Sequence, residues 1–91
     1  MAFALLLSRT AQKALDKLPT SAVEKIFNHL EELKRDPYRA RPMADIAPVA
    51  GCETLYRLRV GKLRVEYEVR KDENIIKILK IFQKKRKSDY R

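Results

Sequence analysis

The sequence predicts an α+β fold in which a helical hairpin packs on one face of a mainly antiparallel four-stranded sheet, in the order β-α-α-β-β-β. Three observations predict it. An amphipathic stripe with helical spacing covers residues 23–33, two segments that alternate apolar and charged residues flank Gly61, and an apolar run at 75–82 has the length of a buried strand. We expect the 91 residues to form one domain, residues 1–91, with a single modest core.

The chain begins with a predicted strand and a first helix. Residues 3–7 are a brief apolar run that fits a buried strand. Ser8 follows, and its hydroxyl is suited to cap a helix because it can accept from a backbone N–H of the first turn. Apolar residues then recur at helical spacing: Ala11, Ala14, Leu15 and Leu18. Pro19 is expected to end this helix.

A second helix is predicted after Pro19. Thr20 or Ser21 is expected to cap it, and Glu24 stands three residues after Ser21, the spacing of a capping box. Its apolar stripe consists of Val23, Ile26, Phe27, Leu30 and Leu33. His29 lies at the edge of that stripe, where a partly buried histidine is expected. Asp36-Pro37 is expected to stop the helix.

The segments around Gly61 are predicted to form a β-hairpin with one buried face. Gly61-Lys62 is the expected turn, because glycine adopts the positive φ that a two-residue hairpin turn requires. The apolar set is predicted to face the core: Tyr56, Leu58, Val60, Leu63, Val65, Tyr67 and Val69. The charged set is predicted to share the opposite face: Arg57, Arg59, Lys62, Arg64, Glu66 and Glu68.

Two polar connections flank the hairpin. Residues 37–51 contain several prolines and arginines without a clean period, which predicts a solvated loop. Residues 71–74 are polar and predict the next turn. The run at 75–82 is apolar on both faces except for Lys77 and Lys80, which is typical of a central strand.

The charge of the chain is basic and concentrated toward its C-terminus. Its 21 Lys and Arg against 12 Asp and Glu give a net charge of +9, and residues 52–91 hold 13 of the basic and 6 of the acidic side chains. Such a concentration favours a polyanionic partner, most often a nucleic acid. A basic exterior without a partner is the alternative interpretation.

The sequence restricts cofactors and location. Cys52 is the only cysteine, so we expect no internal disulfide, a reducing cytoplasm as the location, and a packing role for this small side chain. A single histidine, His29, supports neither a zinc site nor a histidine-based catalytic pair, and we expect no metal and no cofactor. Residues 2–7 are too short for a membrane span or signal peptide, so no membrane partner is expected.

Arginines of the hairpin form the candidate site, together with two residues of the C-terminal segment: Arg57, Arg59, Arg64, Arg86 and Tyr90. A guanidinium group presents paired donors that fit phosphate oxygens, and it stays charged at physiological pH. A donor held in place can stabilise developing charge by about 3–4 kcal/mol, and a tyrosine can stack on an unpaired base. Further lysines are predicted to bind RNA: Lys62, Lys80, Lys84, Lys85 and Lys87.

The segment Tyr56-Arg57-Leu58-Arg59-Val60-Gly61-Lys62-Leu63-Arg64-Val65, followed by a strand and by Arg86-Lys87-Ser88-Asp89-Tyr90, resembles the RelE branch of the RelE/ParE toxin superfamily. The likeness extends over nearly the whole chain, including the order of its elements. It implies a RelE-like fold and a toxin of a type II toxin–antitoxin pair that cleaves mRNA in the ribosomal A site without a metal. A ribose 2′-OH attacks the adjacent phosphate, which leaves a 2′,3′-cyclic phosphate and a free 5′-OH. The implied partners are a cognate RelB-like antitoxin, in a hetero-oligomer, and the ribosome with its mRNA.

The resemblance also implies roles for individual residues. Arg57 and Arg59 stand where the family has basic residues on the first hairpin strand. Arg64 matches the arginine that grips the scissile phosphate. One of Lys84, Lys85 and Arg86 is implied to serve the leaving group, and Tyr90 matches the tyrosine that stacks on the mRNA.

The proton acceptor of the implied reaction is left open by the sequence. Some family members have lysine at the positions of Arg57 and Arg59, and arginine is a poor proton acceptor. Glu66 and Glu68 share the charged face and are candidates, or they only pair with neighbouring arginines.

Two other functions also stay open, a ParE-like gyrase poison and a non-catalytic RNA or ribosome binder. The basic C-terminal segment favours the ribonuclease, because a gyrase poison has no need to hold a phosphate and a base.

Overall fold

The computed structural model describes residues 2–83, which form two α-helices and five β-strands. The elements are β1 Ala4–Leu7, α1 Arg9–Asp16, α2 Thr20–Leu33, β2 Asp45–Pro48, β3 Leu55–Val60, β4 Leu63–Arg70 and β5 Ile75–Gln83. The strands form one sheet in the order β1-β5-β4-β3-β2, in which β1 runs parallel to β5 and all other neighbours are antiparallel. The predicted α+β class, with two helices on a mainly antiparallel sheet, is confirmed.

The predicted number of strands is wrong, because the connection at 37–51 contains the edge strand β2. This strand pairs Asp45 with Arg59 and Pro48 with Tyr56. The strand has four residues, and only Ile46 of them is buried. A segment this short does not show the alternation of apolar and polar residues by which a strand is predicted from sequence. Pro48 is compatible with it because an edge strand has one side without ladder hydrogen bonds.

The core lies between the helices and one face of the sheet. Its helical part consists of Ala11, Leu15, Ile26, Leu30 and Leu33. Its sheet part consists of Ile46, Leu58, Val60, Val65, Tyr67, Val69, Ile76, Ile78 and Ile81. The predicted apolar faces of β3 and β4 are therefore the buried ones. Phe27, which the stripe of α2 also placed in the core, is 36% exposed.

The two helices begin in different ways. The Ser8 hydroxyl accepts from the Ala11 backbone N–H at 3.0 Å, as predicted, and donates to the carbonyl oxygen of Leu79 in β5 at 2.8 Å. The predicted cap of α2 is wrong, because its N-cap is Pro19 and no side chain caps it. The Pro19 carbonyl instead accepts from the N–H groups of Ala22 and Val23.

We expect Ser8→Ala to lower the free energy of unfolding by about 1–2 kcal/mol, because it removes both the cap of α1 and its bond to β5. Ser21→Ala is the matched control. It should change the free energy of unfolding by only a few tenths of a kcal/mol, because Ser21 lies in α2 and does not cap it. Urea unfolding of both variants measures the difference, and equal destabilisation would contradict the assignment of the caps.

Tyr67 fixes the connection after α2 to the sheet. Its buried hydroxyl donates to the Pro37 carbonyl oxygen at 2.7 Å, and burial raises the pKa of this phenol above its ordinary value. The Tyr67 ring stacks on Tyr56, which makes an edge contact with Tyr38. Backbone N–H groups of Tyr38 and Arg39 donate to Asp36 and lower the pKa of its carboxyl group. The loop is therefore held in place before it reaches β2.

Neither of these helices, of 8 and 14 residues, has the length and apolar character that a membrane span requires.

Candidate nucleic-acid interface

The open face is the side of the sheet opposite the helices, and basic side chains of three strands lie on it. Two cross-strand rows define its centre. The first row pairs Arg57 of β3 with Glu66 of β4 and Glu66 with Lys80 of β5. The second pairs Arg59 with Arg64 and Arg64 with Phe82. Because paired residues on neighbouring strands share a face, the three hairpin arginines lie together as predicted.

A bulge in β5 places a further lysine on the open face. The register between β4 and β5 shifts between Glu66 and Tyr67, so Glu66 pairs with Lys80, Tyr67 pairs with Ile78, and Leu79 is left between them. Strict alternation would put Lys77 and Lys80 on opposite faces, since they are three residues apart. With the bulge, Lys77 pairs with Glu68 on the open face.

Arg57 is fixed by a carboxylate and an aromatic ring. Its Nε and Nη2 atoms donate to the same oxygen, Oε2 of Glu66, at 3.2 and 2.6 Å. Its guanidinium carbon lies 5.8 Å from the centre of the Phe82 ring, within the range of a cation–π contact. The second oxygen of Glu66 lies 3.8 Å from Nζ of Lys80. This carboxylate therefore lies between two cations in the middle of the open face.

Arg59 is paired at the edge of the sheet. Its Nε lies 2.7 Å from Oδ2 of Asp45 in β2. The Arg59 side chain is more than half exposed and that of Asp45 is about half exposed. Asp45 could not be predicted as its partner without β2. Phe82 was likewise not predicted as a partner of Arg57, although its position opposite Arg64 follows once the register of β5 is known.

Arg64 differs from the other two arginines in its partners. Its Nη1 donates to the carbonyl oxygens of Gly61 and Leu63 at 3.0 and 2.9 Å, which draws the side chain toward the hairpin turn. Within residues 2–83, no carboxylate forms an ion pair with Arg64. Its positive charge is therefore compensated less than that of Arg57 or Arg59. Lys62 is exposed in the same turn, where Gly61 has the expected positive φ of 60°.

Half of the predicted site lies outside the described residues. These residues are Lys84, Lys85, Arg86, Lys87 and Tyr90. The structure thus brings together Arg57, Arg59, Arg64 and Lys80 on one surface, with Lys62 at its end, and the C-terminal part of the site stays a prediction.

Two residues that were predicted to have no role in the site lie outside the strands that form this surface. His29 is half-buried in α2, and its Nδ1 donates to the carbonyl oxygen of Lys25 at 2.9 Å. Cys52 is an exposed free thiol in the connection between β2 and β3, so the predicted packing role is wrong. The connection between β2 and β3 does not place the Cys52 side chain against the core.

The fold and the open face define a class of small, basic α+β proteins in which a two-helix layer covers one face of the sheet and the other face carries arginines.

Comparisons with known proteins give the family. The model of the ParE toxin of type II toxin–antitoxin systems matches residues 5–88. A curated relative from Methanocaldococcus jannaschii, named as the toxin RelE1, is 37% identical over 81 residues, 89% of either chain. The chain therefore belongs to the ParE toxin family of type II toxin–antitoxin systems, and within the RelE/ParE superfamily it is RelE-like.

Solved structures agree with this assignment. A chain of the archaeal RelE–RelB complex from Pyrococcus horikoshii OT3 is similar with a TM-score of 0.81 and 30% identity, over 94% of this chain and 99% of that one. The isolated RelE toxin of E. coli gives a TM-score of 0.81 at 19% identity, over 98% and 92% of the two chains, which is a likeness of fold alone. The predicted resemblance to RelE is confirmed.

Proposed function

We propose that this toxin inhibits translation by cleaving mRNA in the ribosomal A site. The observation that carries the proposal is the convergence of Arg57, Arg59 and Arg64 on the open face, from two adjacent strands of a rigid sheet. Neighbouring strands are about 4.8 Å apart and alternate residues of a strand about 7 Å apart. Guanidinium groups at these spacings can contact successive phosphates of a bent RNA strand, or different oxygens of one phosphate.

The proposed reaction is an attack of a ribose 2′-OH on the adjacent phosphorus. The bond from phosphorus to the 5′-oxygen breaks, and the products are a 2′,3′-cyclic phosphate and a free 5′-OH. Arg64 is proposed to bind the non-bridging phosphate oxygens, because no carboxylate of the described residues competes for its charge. Arg57, Arg59, Lys62 and Lys80 are proposed to hold the flanking backbone. The nucleophile belongs to the substrate, so the proposed reaction requires no metal-activated water.

The C-terminal segment is proposed to complete the site. One of Lys84, Lys85 and Arg86 would neutralise the charge that develops on the leaving 5′-oxygen, and Lys87 would bind the backbone. Tyr90 would stack on an unpaired base, an interaction worth roughly 1–3 kcal/mol. The last residue that the structure describes, Gln83 at the end of β5, pairs with Leu63 next to the row of Arg64 and Phe82.

A RelB-like antitoxin is the proposed protein partner. Solved structures similar to this chain include RelE–RelB complexes from P. horikoshii and M. jannaschii, at 30% and 27% identity. The chain has exposed apolar side chains that a partner can cover, among them Leu6 on the edge strand β1 at 47% exposure and Phe27 on α2 at 36%. We propose that the antitoxin binds the edge of the sheet or the helical hairpin, and that the toxin co-purifies with it when the two are expressed together.

Mapping the 5′ ends of mRNA after brief induction of the toxin tests the proposed activity. We expect new 5′-OH ends in phase with codons, only within translated regions, because the ribosome presents the substrate. ParE-like gyrase poisoning is the alternative activity within the same family, and it predicts DNA damage with intact messages. Intact messages and intact DNA would indicate a non-catalytic binder. For such a binder, the logarithm of its affinity for the ribosome should fall linearly with the logarithm of the salt concentration. Either of these two results would overturn the proposal.

A further inference from the structure

We infer that Glu66 is the proton acceptor of the cleavage reaction, an inference that rests on the proposed function. Removal of the 2′-OH proton requires a base, and arginine side chains cannot serve at physiological pH. The sequence leaves this role open between carboxylates. The structure separates them by their position on the open face and by the hydrogen bonds that each oxygen accepts.

Glu66 is the carboxylate at the centre of the arginine cluster. It lies directly across from Arg57 and two residues along β4 from Arg64, a separation of about 7 Å. A scissile phosphate bound by Arg64, with the flanking backbone held by Arg57, would have its adjacent ribose close to Glu66. The Glu66 side chain is 18% exposed, so it is restrained by its surroundings yet accessible from the open face.

One oxygen of Glu66 remains available for a proton. Oε2 accepts both hydrogen bonds from Arg57, at 3.2 and 2.6 Å. Oε1 lies 3.8 Å from Nζ of Lys80, beyond hydrogen-bond distance, and accepts no hydrogen bond from the residues that the structure describes. A carboxylate that is oriented through one oxygen and open at the other has the arrangement expected of a general base.

The other carboxylates of the open face are placed less well. Glu68 lies opposite Leu55 rather than an arginine of β3, about 13 Å along the strand from Arg64, and it pairs with Arg70. Asp45 lies on the edge strand β2, two strands away from Arg64, with Arg59 between them. Neither is adjacent to both Arg57 and Arg64, so Glu66 is the carboxylate that the geometry assigns.

The proposed step balances without a further reactant. Oε1 of Glu66 takes the 2′-OH proton as the 2′-oxygen forms its bond to phosphorus. The electron pair of the breaking bond goes to the 5′-oxygen, which takes a proton from a cationic side chain or from water. Glu66 then returns its proton to the solvent. When the RNA backbone draws Arg57 toward itself, Oε2 of Glu66 also loses its two hydrogen bonds from Arg57.

Single-turnover cleavage of mRNA on purified ribosomes, measured across pH, tests the assignment with Glu66→Gln. We expect a rate lower by roughly 10²–10⁴-fold, the usual contribution of a general base. The wild-type rate should be nearly independent of pH around neutrality. The variant's rate should rise tenfold per pH unit, because hydroxide replaces the missing base. Glutamine retains an oxygen for Arg57, so binding to the ribosome should not weaken.

Glu68→Gln is the matched control, since it removes the same charge from the same face of the same strand, and its rate should stay within a few-fold of the wild type. An unchanged rate in Glu66→Gln would overturn the inference and leave the proposed function intact. A slower Glu66→Gln with the pH profile of the wild type would also overturn it, because Glu66 would then only position Arg57. Absence of cleavage by the wild-type protein would defeat the proposed function itself, whatever the variants do.

Discussion

Replacement of Arg64 by alanine should reduce mRNA cleavage by roughly 10²–10³-fold and relieve growth arrest. Removal of one well-placed donor to a developing charge costs about 3–4 kcal/mol in comparable sites. Arg64 should show this effect most fully among the hairpin arginines. Arg57 and Arg59 already have carboxylate partners, whereas the hydrogen bonds of Arg64 to Gly61 and Leu63 go to neutral carbonyl groups. Single-turnover cleavage on ribosomes is the measurement.

Arg70→Ala is the matched control for this experiment. Arg70 lies on the same strand and the same face as Arg64, about 20 Å away, and pairs with Glu68. Both variants lose one positive charge, so a specific role predicts a large loss of activity for Arg64→Ala and nearly full activity for Arg70→Ala. Arg64→Lys should recover only part of the activity, because lysine lacks the paired donors. Full toxicity of a folded Arg64→Ala/Arg86→Ala double variant would remove the basis of the proposed mechanism.

The ion pairs on the open face are compatible with binding of RNA. An exposed pair such as that of Arg59 with Asp45 contributes about 0–1 kcal/mol, so the exchange of its carboxylate for a phosphate oxygen costs little. The pairs of Arg57 with Glu66 and of Arg59 with Asp45 hold these guanidinium groups over the sheet in the absence of RNA. Reduced mobility before binding lowers the entropy cost of ordering the side chains on the substrate. Glu66 and Asp45 therefore hold Arg57 and Arg59 in position for binding of RNA.

Alternation in β3 and β4 made the faces of the hairpin predictable from sequence. Each of these strands has one buried face, so a shift of one residue would bury arginines and expose Leu58 and Val65. The alternating pattern alone is therefore sufficient to place Arg57 and Arg64 on a common surface. The start of α1 was predictable for a similar reason, because the Ser8 hydroxyl has a local partner in the Ala11 N–H.

Other features depend on contacts that no short segment of the sequence contains. β2 exists because its four residues add to the edge of β3, and Ile46 is its only buried residue. The bulge at Leu79 is defined by the pairing of β5 with β4, and the Leu79 carbonyl oxygen also accepts from Ser8, 71 residues away in the chain. The central place of Glu66 became visible only with both of its neighbouring strands in register.

We expect Arg41→Ala to cause the largest loss of stability among single changes of a charged residue in the described part of the chain, about 2–4 kcal/mol. The Arg41 guanidinium donates to the Glu32 side chain and to three backbone carbonyl oxygens, those of Glu32, Asp36 and Arg39, at 2.6–2.9 Å. The side chain is only 16% exposed. Its removal takes these donors from the Asp36 and Arg39 carbonyl oxygens, and it leaves the Glu32 carboxylate with only the more distant Arg35, at 3.7 Å.

Arg39→Ala is the natural control for Arg41→Ala, because the two arginines are two residues apart in one loop. Arg39 is 78% exposed, and its Nε lies 3.7 Å from the Asp36 carboxylate, so its loss should cost less than about 0.5 kcal/mol. At roughly 4–8 °C per kcal/mol, Arg41→Ala should unfold some 10–25 °C below the wild type and Arg39→Ala close to it. Calorimetry gives both values. Similar unfolding temperatures for the two variants would mean that the contacts of Arg41 do not hold the loop. In that case the position of β2, and with it the pair between Asp45 and Arg59, would need another explanation.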